Sequence, residues 1–225
     1  MKLNHYNINF NFSNFIPVYK NISLNKSIMR ITHNIFLKKK KIFGSIANIG
    51  SGTNVDLKNI FRKVNGQIYN YDYYKYNKNV IKINLEKIFF LKSKFDFIIL
   101  FNVLEHIENY KNLINNLKKH LKKGGTLEIF VPFMFRFHED PKDYFRPTHF
   151  YLKKLLSKKN FSIKTTLMAA GPAMTVLEIL FKYLRVKVLK IIFLFFFIIL
   201  DKFFFRFSKD YLNYYCGVHI SCKRL

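Results

Sequence analysis

The sequence predicts an α/β fold built on a mostly parallel sheet, and three observations carry that expectation. Short apolar runs alternate with helical patterns from Ser45 onward. The run at residues 46–49 ends in Gly50-Ser51-Gly52, and apolar residues follow at Leu57, Ile60, Phe61 and Val64, the spacing of a helix face. Phe95–Phe101 is apolar apart from Asp96 and too short for most helices, as in a strand buried on both faces. Strand, glycine turn and helix is the arrangement by which such folds bring backbone N–H groups up to a nucleotide-like ligand.

Each element follows in order. Residues 45–49 form the first strand, and the helix after Asn54 follows it. Residues 67–71 form a strand ending in Asp72, and residues 80–83 a third ending in Asn84. After the fourth, Phe95–Phe101, a helix carries Tyr110, Leu113, Ile114, Leu117 and Leu121 on one face, and Gly124-Gly125 stops it. Residues 126–131 form the fifth strand, closed by Pro132. Thr148 caps a helix bearing Leu152, Leu155 and Leu156. Residues 161–167 are a sixth strand, and residues 214–222 close the chain with a strand-like segment. Strands alternating with helices imply helices on both faces of the sheet. The expected organisation is a lead-in over 1–44, a core over 45–170, an apolar helical addition over 171–208 and a closing strand over 209–225.

The 225 residues accommodate one α/β domain with additions. The balance of 39 Lys+Arg against 13 Asp+Glu, a formal net charge of +26, is of the kind that points to nucleic acid or an anionic membrane surface. Lys, however, is spread along the whole chain, with one dense run at residues 38–41, so a compositional bias accounts for most of it. Nucleic acid is therefore the less favoured partner, and weak attraction to anionic headgroups the more favoured. Residues 191–200 are ten consecutive apolar residues. That is half of the roughly 20 a spanning helix needs. The segment around it, 186–207, is either a helix packed on the domain or one lying in a membrane interface. Cys216 and Cys222 would stand roughly 20 Å apart in an extended segment. A disulfide needs Cα atoms within about 7 Å. Neither a bridge nor a metal site is expected, and a reducing cytoplasm fits. The N-terminal residues lack the apolar stretch of a signal peptide.

Asp72 follows Gly52 by 20 residues at the end of the second strand. An acidic residue at about that distance accepts hydrogen bonds from ribose hydroxyls in nucleotide-binding α/β folds. With Asp72 in place, the chain resembles class I S-adenosylmethionine-dependent methyltransferases of the type 11-like, small-molecule kind. The matching segments run in order: Asn48-Ile49-Gly50-Ser51-Gly52, Asp72, Asn84, Asn102-Val103-Leu104-Glu105-His106-Ile107 and Leu121-Lys122-Lys123-Gly124-Gly125. The resemblance implies a Rossmann-like three-layer sandwich whose seven-stranded sheet ends in an antiparallel strand. It also implies S-adenosylmethionine as cofactor, held by Asn48, Gly50, Ser51, Gly52, Asp72, Asn84 and Asn102. Asn48 and Asn84 stand where the family usually or often has an acidic residue. Asn54 stands where a third glycine is common. Residues 138–148 are similar to a His…Pro-x-Asp-Tyr-x-Arg-x-Thr stretch in a subgroup associated with polysaccharide biosynthesis. A subgroup member would methylate a hydroxyl of a sugar, a glycan or another small or lipid-linked acceptor.

Such a reaction needs alignment, exclusion of water and removal of a hydroxyl proton. His138 is the first candidate for the base, because imidazole titrates near neutrality and its loop leaves the carboxyl end of a strand. His106 is the rival. Asp143 orients His138 or the substrate, while Tyr144 and Arg146 face the acceptor, the latter able to clamp an anionic group. Strand four lacks an Asn-Pro-Pro-Tyr type of motif, and no Cys lies near strands four or five. Two routes to nucleic-acid methylation therefore have no candidate residues. A methyltransferase-like module without catalysis and a basic RNA methyltransferase are the competing readings. The enzyme is expected in the cytoplasm or at the inner face of the membrane.

Overall fold

The computed structural model describes residues 4–6, 22, 26–52, 57–87, 91, 93–139, 141–207 and 213–225, with backbone alone at 4–6 and 165–168. In chain order the elements are β1 (Asn4–Tyr6), α1 (Ile28–Leu37), β2 (Lys41–Ile49), α2 (Leu57–Ile60), β3 (Lys63–Asp72), β4 (Val80–Lys82), β5 (Phe95–Phe101), a 3₁₀ turn (Leu104–His106), α3 (Tyr110–His120), β6 (Leu121–Pro132), α4 (His149–Lys158), β7 (Phe161–Ala169), α5 (Pro172–Phe181), α6 (Lys187–Phe207) and β8 (Gly217–Arg224). They group into two compact units. One draws on Met1–Lys39, Pro132–Arg136 and Leu167–Val218, the other on Lys40–Val131, Phe137–Thr166 and His219–Leu225.

The second unit is the expected Rossmann-like arrangement. Its strands run in the order β7-β8-β6-β5-β2-β3-β4. β2 pairs parallel with β3 and β5, β3 with β4, and β5 with β6. The last strand is antiparallel to its neighbours. Cys216 N–H donates to the Ala169 carbonyl at one end of β7 and Leu225 N–H to the Asn160 carbonyl at the other. The core is built from these strands: Ile46, Ala47, Ile98, Ile99, Leu100, Leu127, Ile129 and Phe130 are fully buried. Leu113, Ile114 and Leu117 of α3 and Leu152, Leu155 and Leu156 of α4 are buried too. Thr148 caps α4, its hydroxyl accepting from Tyr151 N–H at 3.2 Å.

Several boundaries differ from expectation: β2, β3 and β6 begin earlier, at Lys41, Lys63 and Leu121, the last strand begins at Gly217, and two helices end sooner. Helix α2 ends after Ile60, and Val64 lies in β3. The reason is the ladder. β2 and β3 pair over nine positions, from Lys41↔Lys63 to Ile49↔Tyr71, so residues 63–66 satisfy their backbone as sheet rather than as more helix. Helix α3 ends at His120, not at the glycine pair, and Leu121 already has extended backbone. Between the pairs Phe95↔Leu121 and Phe97↔Thr126 the register shifts, and Gly124, at φ +73°, sits in that irregularity. Arg224 donates to the Lys118 and Leu121 carbonyls, satisfying groups the helix end leaves over. Asn54 lies outside the described residues.

A buried charge network ties β6 to β8 and to the residue before β2. Glu128 accepts from Lys40 Nζ at 2.5 and 2.6 Å, from His219 Nε2 at 2.7 Å and from Ser221 Oγ at 3.0 Å. Burial raises the Glu128 pKa, but His219 and Lys40 outweigh it and hold the carboxyl below its ordinary value. Burial also holds His219 below its ordinary value.

In the first unit, β1 pairs parallel with Leu167–Ala169 of β7. Helix α1 is capped by Ser27, whose hydroxyl accepts from Arg30 N–H, and Met29 N–H donates to Glu178 of α5 at 2.7 Å. Asp201, inside the apolar helix α6, is fully buried and caps α5. Its carboxylate accepts from the N–H groups of Gly171, Ala173 and Met174 at 3.1, 2.7 and 3.3 Å. That is the favourable end of a helix dipole for an anion. Burial still pushes the Asp201 carboxyl up to about 6, the three backbone bonds opposing it. Among the described residues, no helix is long and apolar enough to cross a membrane.

Two expectations follow. Glu128→Gln leaves the Lys40 ammonium without its counter-charge and His219 without its carboxylate partner, and lowers the unfolding free energy at pH 7 by about 3–5 kcal/mol, read by urea denaturation. A carboxyl held low stabilises the fold above its ordinary value of 4.5 and loses that contribution as pH falls through its lower folded value. The gap between wild type and Glu128→Gln therefore narrows below pH 4.5. Asp201→Ala orphans buried N–H groups at the start of α5 and costs about 1–3 kcal/mol. Hydrogen exchange checks this, with residues 171–175 losing protection first.

Candidate functional site

The site grows from the carboxyl ends of β2, β3 and β5. Gly50 turns the chain out of β2 at φ +71°, and Gly52 repeats the conformation at φ +67°. Backbone of this kind favours glycine. Gly50 has a second reason. A Cβ there would stand 2.1 Å from Cγ2 of Val103, which follows β5. The turn is held by N–H groups of Gly50 and Ser51, which donate to the Tyr71 carbonyl at 2.8 and 3.2 Å.

Asp72 comes to this turn as its spacing predicts. Its carboxylate accepts from Gly52 N–H at 2.8 Å and from Tyr74 N–H at 3.2 Å. Asn48 lies in register with Asn70, and its amide donates to Asn70 Oδ1 at 2.9 Å. The pairing partner Asn70 was not legible in the sequence, since only the register of β2 on β3 reveals it. Asn84 follows β4 and accepts from Glu86 N–H at 3.0 Å, a local turn. Ile83, beside it, donates to the Asp72 carbonyl at 2.7 Å. Asn102 closes β5 at φ +52°, its N–H donating to the Phe130 carbonyl at 2.8 Å. Ser51 Oγ and Asn102 Oδ1 are buried with no hydrogen-bond partner among the described residues. Two buried oxygens without partners at one sheet end are what a polar ligand satisfies.

Residues 137–146 form the other half. They are tied to the 3₁₀ turn after β5: Tyr144 N–H donates to the Glu105 carbonyl at 2.9 Å, and His106 Nδ1 bonds the Lys142 carbonyl. A carbonyl only accepts, so His106 carries its proton on Nδ1. The rings of His106 and His138 meet edge to face, centroids 5.0 Å apart. His138 N–H donates to Asp143 Oδ2 at 3.1 Å, and its Nδ1 lies 3.4 Å from the same oxygen. Arg146 binds both Asp143 oxygens through its guanidinium fork. Burial raises the Asp143 pKa, but Arg146 and the His138 backbone outweigh it and hold the carboxyl low. Tyr144 is exposed. Next to it, Phe145 stacks on Tyr110 at 4.4 Å.

Thus His106, His138, Asp143 and Arg146 converge, while Asn48 and Asp72 pair with groups of the sheet end and its turn. Glu105, fully buried beside His106, was not singled out by sequence reasoning. Glu105, His106 and His138 each offer a ligand atom within 4.8 Å of the others, so these three could hold a metal ion. Asp140 lies outside the described residues.

Comparison with known proteins identifies the assembly. The sequence matches the methyltransferase-domain family over residues 23–161, more than half of the chain. No curated protein matches it in sequence. Among solved structures, a putative methyltransferase from Haloferax volcanii, determined with the Trm112 methyltransferase activator, is similar at a TM-score of 0.56 and 9% identity, covering 91% of this chain and 92% of that one. The O-methyltransferase of a Brevibacillus brevis trans-AT PKS multienzyme, in complex with S-adenosyl-L-homocysteine, is similar at 0.54 and 14%, covering 99% and 82%. DhpI in its SAH complex is similar at 0.52 and 10%, covering 94% and 88%. At these identities the likeness shows the fold. With the family match, it follows that this chain belongs to the methyltransferase-domain family and is an S-adenosylmethionine-dependent methyltransferase.

Proposed function

We propose that the enzyme methylates a hydroxyl of a small acceptor, a sugar, glycan or lipid-linked intermediate, in the cytoplasm or at the inner face of the membrane. The observation that carries this reading is the His138–Asp143–Arg146 group, tied through Glu105 and His106 to the turn that packs over Gly50. A base thus stands beside the cofactor loop.

The residues present suit the cofactor. The glycine turn offers room and backbone, and Ser51 Oγ and Asn102 Oδ1 are oxygens in want of donors. The ammonium and ribose hydroxyls of S-adenosylmethionine are donors. Ser51, Gly52, Asp72 and Asn102 would hold it, with Asn48 and Asn84 behind and beside them. When bound, it supplies a sulfonium methyl, whose bond to sulfur breaks as the bond to the acceptor oxygen forms.

His138 does the proton work. Its Nδ1 lies 3.4 Å from Asp143 Oδ2 and 3.5 Å from Arg146 Nη2; with the Nδ1 proton directed at the carboxylate, Nε2 takes the hydroxyl proton. A carboxylate in this position fixes tautomer and orientation and stabilises the imidazolium that forms. Arg146 is committed to Asp143, so its part is to position that carboxylate, and Tyr144 is the exposed polar side chain left to meet the acceptor. The fixed Nδ1 proton of His106 leaves its Nε2 an acceptor, able to hold a second acceptor hydroxyl.

Gly50→Ala meets both a disfavoured φ and Val103, and loses at least about tenfold in S-adenosylhomocysteine affinity by isothermal titration. Circular dichroism confirms that the variant folds. His138→Ala lowers turnover by about 10²–10⁴-fold and leaves that affinity unchanged. Methyl transfer from radiolabelled S-adenosylmethionine to a panel of sugars, nucleotide sugars and lipid-linked saccharides reads the rate. Full turnover in the variant removes His138 as the base, and labelling confined to RNA removes the proposed acceptor class.

A further inference from the structure

Helix α6 has two faces of unlike character. Leu194, Ile198 and Asp201, at i, i+4 and i+7, are buried. Asp201 fixes this orientation, since its carboxylate serves the first N–H groups of α5 and cannot turn away without orphaning them. The opposite face then falls to solvent. It carries Val188, Ile192, Phe196, Ile199, Phe203 and Phe207, between 55% and 68% exposed. At spacings of 4, 4, 3, 4 and 4 residues they form one stripe along the helix. A contiguous exposed apolar stripe of this size marks an interaction surface.

The charges beside it select the partner. Lys187, Lys202 and Arg206 are exposed and Lys190 is half-buried, its ammonium over the Phe181 ring at 5.0 Å. The one carboxylate on α6 is Asp201, which is buried. A second copy of this chain would bring the same cations face to face, against a formal net charge of +26 per copy. An anionic lipid surface meets both features, apolar side chains entering the acyl boundary and cations meeting headgroups. At about 1.5 Å per residue, the 21 residues of α6 are about 30 Å long. Lys187, Lys190, Lys202 and Arg206 would have to enter or cross the hydrocarbon if the helix spanned, whereas in the plane they reach the headgroups.

The geometry points to α6 as an in-plane anchor on anionic phospholipid, its Val188–Phe207 stripe inserted and Asp201 holding the stripe outward. The anchor stands apart from the acceptor chemistry, so it is tested by itself. The full chain is floated with phosphatidylcholine vesicles carrying phosphatidylglycerol, and with phosphatidylcholine alone. Wild type floats with the first and much less with the second, and raised salt releases it. Phe196→Asp combined with Ile199→Asp abolishes flotation. Lys202→Ala and Arg206→Ala each lower the partition coefficient about fivefold, the equivalent of about 1 kcal/mol per cation. S-adenosylhomocysteine affinity is unchanged throughout, which separates this surface from the cofactor site. Absence of flotation by wild type, or equal flotation by the double variant, overturns the anchor. So does a dimer in sedimentation equilibrium that the double variant dissolves, which would make the stripe an interface between copies.

Discussion

The pairing of β2 with β3 is the constraint on which the site depends. Nine residues of each strand run in register, and the last pair, Ile49↔Tyr71, fixes where both strands end. The Tyr71 carbonyl then receives Gly50 and Ser51, and the next residue, Asp72, receives Gly52. A slip of one residue would move Asp72 off the turn and reverse the face of every side chain on β3. It would also part Asn48 from Asn70. The turn of residues 50–52 is therefore the end of a ladder, and its shape follows from the length of that ladder as much as from its glycines.

This explains why the site was partly legible in the sequence. Asp72 stood out because strand, turn and return to a parallel neighbour take about 20 residues, and the spacing survives any loop composition. Phe95–Phe101 was read at its full length because a strand buried on both faces leaves no polar residue but Asp96 to blur its edges. The ends of β2 and β3 were hidden, since Lys41, Lys63, Asn65 and Gly66 carry no apolar signal and are held by backbone pairing alone. Lys40 was hidden more thoroughly. Within the run of residues 38–41 it looks like one more solvated lysine, yet its ammonium meets Glu128 in the interior. In a chain with so many lysines, composition conceals the one that matters. The loop of residues 137–146 was readable as a cluster of functional types, but the grip of Arg146 on Asp143 was not, because both also suit a substrate.

The carboxylates are scarce and largely committed. Asp72 holds a turn, and Asp96 accepts from Ser45 N–H and Lys122. Glu86 accepts from the N–H groups of Glu108 and Asn109, Glu128 joins strands, Asp143 orders a histidine and Asp201 caps a helix. Each has a role that a neutral side chain fills less well. The cations have no matching set of acids on the surface, so the surplus charge is an outward field rather than a network of ion pairs. Drift in composition can add lysine to a surface at little cost in stability, because exposed ion pairs are worth so little. It cannot as readily remove the few buried acids.

Arg146 is engaged within the protein, unlike the clamp for an anionic group expected of it. A guanidinium offers five donors, and here its fork lies on the two oxygens of Asp143. An anionic acceptor would have to compete with a carboxylate already held in a partly buried pair, which costs more than binding to an uncommitted arginine. Against burial, Arg146 and the His138 backbone hold the Asp143 carboxyl below its ordinary value, which keeps a carboxylate beside His138 Nδ1. On the proposed role of His138 as the base, removing the Arg146 charge acts through this carboxylate and lowers the rate more than the acceptor affinity.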